Sequence, residues 1–188
     1  MVVISSTESA TCTVPGAAAG VVPDRPFLLT GQMTTSDPSR SPAGTESFWA
    51  YTHVPQPAMT RHDAGDEVTG EWGNDDAERF ADRMQARIEA RAPGFGDLVL
   101  SRRILGPHEL EARNANLVGG AVNGGTSQLH QELVFRPVPA MRGRAATGVP
   151  GLFLASASAH PGGGVHGAAG ANAARAAIWQ SRTGRLRR

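Results

Sequence analysis

The chain has 188 residues, of which 40% are hydrophobic, and this is enough for one domain with a sizeable core. Its formal net charge of +1 argues against strong electrostatic recruitment of nucleic acid or of an anionic membrane. The single cysteine, Cys12, excludes an intrachain disulfide and a cluster of thiolate metal ligands. No apolar run approaches the roughly 18 residues of a transmembrane segment, so we expect a soluble, cytoplasmic protein.

The two ends of the chain carry little structural signal. Residues 1–24 mix small and polar residues around two prolines without a hydrophobic period, which is typical of a disordered segment or a linker. Residues 181–188 form a basic tail. We expect this tail to be solvated, because no aromatic residues alternate with its arginines as they do in segments that bind nucleic acid.

Two strands are predicted in the first half of the chain. The apolar run Phe27–Thr30 favours a short strand, and residues 37–44 are dense in turn formers. Residues 47–54 are rich in aromatic and β-branched residues and give the strongest strand signal of this half. Alternation along this strand places three ring side chains on one face: Trp49, Tyr51 and His53.

A helix is predicted over residues 77–91, because apolar side chains recur there at every fourth position. Asn74 or Asp75 can cap its start, and Pro93-Gly94 ends it. Its charged residues, Arg83 among them, are expected on the solvent face. The apolar stripe consists of Phe80, Met84 and Ile88.

Apolar runs and a glycine-rich loop follow this helix. Residues 98–105 favour a strand, and residues 108–113 favour a single helical turn. Residues 114–131 hold four glycines, so they must be loop-like and can approach a ligand or another backbone closely. Arg136 precedes a proline, and we expect its guanidinium to pin the loop by hydrogen bonding to carbonyl groups.

The most informative segment is Gly151–Ala177, whose pattern predicts a strand, a glycine turn and a small-residue helix. Gly151–Ala157 is predicted as a short buried strand, and Ala168–Ile178 as a helix. A strand that leads to a helix N-terminus presents unpaired N–H groups and the positive end of the helix dipole to an anionic or electron-rich group. The glycines between them remove the Cβ atoms that would keep such a group away.

The spacing of these glycines differs from that of common phosphate-binding loops. No Gly-Lys-Ser/Thr follows them, as a Walker A loop requires, and Gly162–Gly167 does not match the GxGxxG spacing. From spacing alone, a glycine-rich turn that only caps a helix is an equally good interpretation.

The run His160-Pro161-Gly162-Gly163-Gly164-Val165-His166-Gly167, followed by Asn172-Ala173-Ala174, resembles the C-terminal signature of phytoene-desaturase-like FAD-dependent oxidoreductases. Asn116–Gly120, Gln128–Gln131 and Phe135–Pro137 are similar to the segment that precedes this signature in the family. Asp37–Gly44 and Trp49–Pro55 are similar to family sequence as well, so the resemblance covers residues 26–178.

The resemblance implies an α/β fold, α+β overall, that is the C-terminal part of a two-domain FAD/NAD(P)-binding oxidoreductase. Residues 25–145 would belong to the substrate-binding domain, and residues 146–180 would be the FAD-binding strand, turn and helix. The helix N-terminus would face the pyrimidine edge of the flavin, and the strand end would lie near the ribityl chain and pyrophosphate. The residues that the resemblance assigns to FAD are Ser158, Gly162, Gly163, Gly164, Val165 and His166.

The N-terminal βαβ unit of that family, with its GxGxxG and the acidic residue that binds the adenosine ribose, is not found in this sequence. The sequence therefore looks like the C-terminal portion of a longer enzyme. An N-terminal half or a second copy of the chain would be its partner.

His160 and His130 are the candidates for residues that border the active cavity. His160 and His166 are six residues apart without a third suitable ligand nearby, so no metal site is expected. The leading interpretation is flavin-mediated hydride abstraction from a small, apolar organic substrate. The alternatives are a non-catalytic truncated fragment or interaction module without independent FAD binding, and a small phosphate-binding module that uses only the glycine turn.

Overall fold

The computed structural model describes residue 17, residues 19–124 and residues 135–183. They form a mixed α/β structure, in agreement with the fold class that the sequence predicts. The strands are β1 Val21–Val22, β2 Leu29–Gln32, β3 Phe48–Tyr51 and β4 His62–Asp63. The helices are α1 Asn74–Glu89, α2 Pro107–Arg113 and α3 Ala168–Arg182.

The chain divides into two compact units, the N-terminal unit Met1–His108 and the C-terminal unit Glu109–Arg188. The N-terminal unit holds two small sheets, because β1 pairs with β4 in parallel and β2 pairs with β3 antiparallel. The C-terminal unit holds the glycine turn and α3. Within the described residues, no helix combines the length and the apolar character that a membrane crossing requires.

β2 and β3 form an antiparallel pair. β3 lies within the strand predicted over residues 47–54, and β2 begins two residues after the start of the predicted strand Phe27–Thr30. The pairing places Gly31 opposite Trp49, and a Cβ at Gly31 would lie 2.6 Å from the indole ring. Only a glycine therefore fits where the tryptophan crosses the neighbouring strand.

One face of β3 carries the predicted row of ring side chains. Trp49 stacks on Tyr51 with ring centroids 5.7 Å apart, and His53 meets Tyr51 edge-on at 6.1 Å. Tyr51 is 49% exposed. The alternation predicted from the sequence is confirmed.

α1 packs its apolar stripe into the core of the N-terminal unit. Phe80 and Ile88 are buried, and Phe80 meets Trp72 edge-on with ring centroids 5.4 Å apart. Val22 and Val68 complete this cluster. The predicted stripe is confirmed, and its burial stabilises this unit.

The start of α1 differs from the prediction. The helix begins at Asn74 and its N-cap is Gly73, so a cap at Asn74 or Asp75 is wrong. Asp76 in the first turn reaches back over the preceding loop, as a capping-box acid does. Burial alone would raise the pKa of Asp76, but the hydrogen bonds that its carboxylate accepts lower it overall. The donors are the amides of Thr69, Gly70 and Trp72 and the hydroxyl of Thr69.

A buried ion pair joins α1 to β4. Arg83 Nη1 lies 2.7 Å from Asp63 Oδ1 and Nη2 lies 2.8 Å from Oδ2, and the two side chains are 7% and 2% exposed. Arg83 also donates to the carbonyl of Pro23 at 3.0 Å. The expectation that Arg83 faces solvent is therefore wrong, because its long side chain reaches a carboxylate twenty residues away in sequence.

Residues 98–105 do not form the predicted strand. A 3-10 turn at Gly96–Leu98 leads into irregular chain, and Leu98 and Leu100 are 78% and 85% exposed. Arg102 anchors this segment to α1 through ion pairs with Glu78 and Asp82. No strand edge among the described residues pairs with the segment, and strand propensity without a partner does not produce a strand. The predicted helical turn at 108–113 is confirmed as α2.

Gly151–Ala157 also lacks the predicted buried strand. Among the described residues it pairs only at an isolated bridge between Phe153 and Ala146, and Leu152 is 53% exposed. The facing stretch, residues 145–147, shares two backbone hydrogen bonds with this segment on either side of the bridge, and no longer ladder forms among the described residues. The helix that follows is confirmed, and α3 extends to Arg182.

We expect Asp63→Asn to lower the free energy of unfolding at pH 7 by about 3 kcal/mol, because it leaves the buried guanidinium of Arg83 with only the exposed carboxylate of Glu67 as an anionic partner among the described residues. Burial raises the pKa of Asp63, but hydrogen bonds from Arg83 and from three amides outweigh burial and hold that pKa well below its usual range. The contribution of Asp63 is therefore complete above about pH 4 and is lost as the pH falls towards its lowered pKa. Urea unfolding between pH 2 and pH 7 measures both effects.

The matched control is Asp37→Asn, since Asp37 forms an exposed ion pair with Arg40. This variant should unfold much like the parent chain at every pH. A difference between the parent chain and Asp63→Asn that stays constant down to pH 2 would contradict the account of the ion pair.

Candidate functional site

The glycine turn between His160 and α3 has a backbone that only glycine adopts readily. Gly162 has φ +111°, Gly164 has φ +147° and Gly167, the N-cap of α3, has φ +61°. An L-residue at any of these three positions would be strained. The three glycines are therefore required by the path of the chain.

The turn presents a series of backbone N–H groups. The amide of Gly162 donates to the carbonyl of Ala159 at 2.7 Å, and the amide of Ala168 donates to Nδ1 of His166 at 3.0 Å. For the amides of residues 163–167, the described part of the chain supplies no acceptor. Val165, in the middle of this run, is fully exposed.

The charge around the turn favours an anionic or electron-rich group. The positive end of the α3 dipole lies at Gly167. The sequence from Leu133 to the C-terminus contains no aspartate and no glutamate. A bound anion therefore meets no repelling carboxylate from this long segment.

Arg136 holds the base of the turn. Its side chain is buried, with 2% of the residue exposed. Nη1 donates to the carbonyl of Ala157 at 2.8 Å and to that of Asn123 at 3.0 Å. A Cβ at Gly162 would lie 3.2 Å from Nε, so the turn passes directly over the guanidinium. The predicted role of Arg136, pinning the loop through carbonyl groups, is confirmed.

Two further glycines allow the surrounding segments to meet. A Cβ at Gly163 would lie 2.7 Å from Oδ1 of Asn123, and a Cβ at Gly124 would lie 2.8 Å from the backbone nitrogen of Ser158. The glycine-rich loop before residue 125 therefore packs against both the end of the 151–158 segment and the start of the turn. The sequence predicts that this loop can approach another backbone, but it does not single out Asn123.

The predicted site residues fall into two groups. Ser158, Gly162 and Gly163 lie around Arg136, whereas Gly164, Val165 and His166 form the exposed part of the turn next to α3. The hydroxyl of Ser158 is hydrogen bonded to that of Ser156. The roles of all six residues in cofactor binding stay predictions.

Of the two histidines that are predicted to border the active cavity, the structure describes only one. His160 is partly buried, and its carbonyl oxygen accepts from the side-chain amide of Asn172 on α3 at 3.4 Å. His130 lies outside the described residues. Among the residues that the structure describes, no group of three or more metal-binding side chains occurs.

The turn has two features that one edge of a flavin dinucleotide would require. It combines backbone amides for which the described residues supply no acceptor with the positive end of a helix in a segment that has no aspartate or glutamate. Gly163–Gly167 and the first turn of α3 would hold the cofactor at this edge. The sequence-based expectation that FAD contacts begin here is compatible with this geometry.

The chain is similar to part of a named mammalian protein. It is 37% identical over 158 residues to pyridine nucleotide-disulfide oxidoreductase domain-containing protein 2 of Rattus norvegicus and, equally, to that of Mus musculus. The matched region is 84% of this chain and 26% of each relative, so the chain spans about a quarter of the length of the curated relatives it matches. No family model and no solved structure matches the chain.

These relatives are named for a pyridine nucleotide-disulfide oxidoreductase domain, and the matched region makes this chain similar to part of such a protein. They do not single out phytoene-desaturase-like enzymes. The coarser part of the sequence-based interpretation therefore has independent support.

We expect Arg136→Met to lower the free energy of unfolding of the C-terminal unit by about 3 kcal/mol. The methionine fills part of the same volume but leaves the carbonyls of Asn123 and Ala157 without their donor in a buried position. Thermal unfolding followed by circular dichroism measures this loss.

Arg142→Gln is the matched control, because Arg142 is exposed and lies in the same segment. It should change the free energy of unfolding by less than about 0.5 kcal/mol. Equal effects of the two substitutions would contradict the structural role of Arg136.

Proposed function

We propose that this chain supplies the flavin-facing turn of an FAD-dependent oxidoreductase that is similar to phytoene dehydrogenases. The observation that carries the proposal is the run of N–H groups at residues 163–167, which the described residues leave without acceptors at the positive end of α3. In this proposal the domain boundary lies between residues 145 and 146, with the FAD-binding elements after it.

When bound, FAD accepts a hydride from a carbon atom of an organic substrate. The proposed contribution of this chain to the reaction is electrostatic. Donors from the turn and the dipole of α3 stabilise negative charge that develops at the pyrimidine edge. Because the donors belong to a turn fixed by Arg136, they need little rearrangement as the charge develops.

Ser158 and Gly162 are proposed to lie beside the ribityl chain and pyrophosphate. Both lie close to segments fixed by the guanidinium of Arg136, which orders them before the cofactor arrives. Arg136 acts here as a positioning residue. The adenosine end of FAD would be held outside this chain, by an N-terminal half or by a second copy of the chain.

The substrate is proposed to be small, organic and apolar. Residues 25–145 would contribute part of its binding domain, and the row of Trp49, Tyr51 and His53 offers an aromatic surface that an apolar substrate can contact. His160 and His130 are proposed to border the cavity. We place the protein in the cytoplasm.

We expect Val165→Glu to weaken FAD binding by about tenfold or more. The new carboxylate would compete for the amides of the turn and repel an electron-rich ring. It should not destabilise the helix, because a negative charge near the start of α3 interacts favourably with its dipole. Titration of the chain with FAD, followed by quenching of flavin fluorescence, measures the affinity.

Val149→Glu provides the control, since Val149 is also an exposed valine of the C-terminal unit but lies outside the turn. It should bind FAD as the parent chain does. Equal affinity in the parent chain and Val165→Glu would rule out the proposed contact. Failure of the parent chain to take up FAD in excess would favour the alternative of a fragment without independent FAD binding.

A further inference from the structure

A second concave surface lies in the C-terminal unit, further along α3 than the glycine turn. It is a groove with a volume of about 610 Å³ between one face of α3 and the short segment 143–146. Its walls are formed by Gly143, Arg144, Ala145, Ala146, Asn172, Arg175, Ala176, Trp179 and Gln180. None of these residues belongs to the proposed flavin-facing turn.

Two guanidinium groups give the groove its charge. Arg144 and Arg175 are both exposed, and among the described residues neither forms an ion pair with a carboxylate. Within the part of the chain that the structure describes, Arg175 has only a long hydrogen bond, 3.4 Å, to the side chain of Asn172. Both cations are accessible and line the same groove, so an anion in the groove would be attracted by both.

The charge of the whole unit strengthens this attraction. Residues 109–188 contain nine arginines and three glutamates, whereas residues 1–108 contain nine arginines and fourteen acidic residues. The net charge of +1 therefore hides a strongly basic C-terminal unit. Such an asymmetry is a recognised sign of an anionic partner.

The other wall residues suit a planar ring with polar edges. Trp179 is 53% exposed and offers an indole face for stacking. Asn172 and Gln180 each carry an amide that can both donate and accept. Along α3 the distance from Asn172 to Trp179 is about 10 Å, from a rise of about 1.5 Å per residue. This span is comparable to the length of a mononucleotide.

We propose that this groove binds a nucleotide moiety. The phosphate lies between Arg144 and Arg175, the base stacks on Trp179, and the amides of Asn172 and Gln180 meet the edge of the base. An apolar ligand would gain nothing from the two cations, and a bare phosphate would leave the indole unused. The site is separate from the proposed flavin contact and does not depend on it.

The test is equilibrium titration of the full chain with AMP, adenosine and inorganic phosphate at 0.1 M salt, where exposed charges further apart than about 10 Å are largely screened. AMP should bind more tightly than either of its parts. Arg144→Gln and Arg175→Gln should each weaken AMP binding by about tenfold. Trp179→Ala should weaken the binding of AMP and adenosine but not that of phosphate.

Two exposed residues next to the groove provide matched controls. Arg142→Gln removes one charge from the same segment, and Ile178→Ala removes an exposed apolar side chain from the same helix. Both should bind AMP as the parent chain does, and circular dichroism should be the same for all variants. AMP affinity that is undetectable in the parent chain, or that falls equally in Arg142→Gln and Arg175→Gln, would overturn the proposal.

Competition with FAD identifies the source of the nucleotide. If FAD displaces AMP, the groove accepts the AMP moiety of a dinucleotide, and the adenosine end of FAD then lies on this chain rather than outside it. If FAD does not displace AMP, the groove holds a separate nucleotide. Both results support a nucleotide in the groove, and Val165→Glu should leave AMP binding unchanged whether or not the flavin proposal is correct.

Discussion

The buried guanidinium of Arg136 fixes the relation between three segments of the C-terminal unit. It donates to carbonyls of the glycine-rich loop at Asn123 and of the 151–158 segment at Ala157, and the turn passes over it at Gly162. These segments contain little regular secondary structure, so a ladder of backbone hydrogen bonds cannot hold them together. A side chain with several donors in a fixed plane satisfies buried carbonyls and sets the direction of the turn at the same time. This direction of the turn leaves the backbone amides before α3 exposed.

The N-terminal unit uses a related solution. Its strands contain two or four residues, and its apolar core is small. Arg83 binds Asp63 and the carbonyl of Pro23, and thereby ties α1 to β4 and to the chain after β1. Buried pairs of this kind cost desolvation and add little net stability, but breaking one is expensive. Such a pair favours one arrangement of the surrounding loops. The small apolar core alone would leave this arrangement poorly specified.

Local sequence signals predicted the elements that depend on local interactions. The stripe of α1, the small-residue helix α3 and the alternation along β3 depend on spacing and propensity, and all three are confirmed. The strands predicted at 98–105 and 151–157 are wrong, because a strand needs a partner edge that its own sequence does not reveal. The ion pair between Arg83 and Asp63 was not predicted for a similar reason, because the sequence does not reveal which distant residue lies beside Arg83. Arg136 was predicted to pin the loop through carbonyl groups, as it does, whereas the contribution of Asn123 and the groove beside Trp179 left no recognisable motif.

The turn before α3 is proposed to receive the flavin through its backbone amides. Hydrogen exchange of the individual amides, with and without saturating FAD, tests this proposal most directly. FAD should slow the exchange of amides within Gly163–Gly167. The amide of Gly162 should be unchanged, because it already donates to Ala159. If FAD binds but exchange at Gly163–Gly167 stays the same, the flavin lies elsewhere and the account of the turn is wrong.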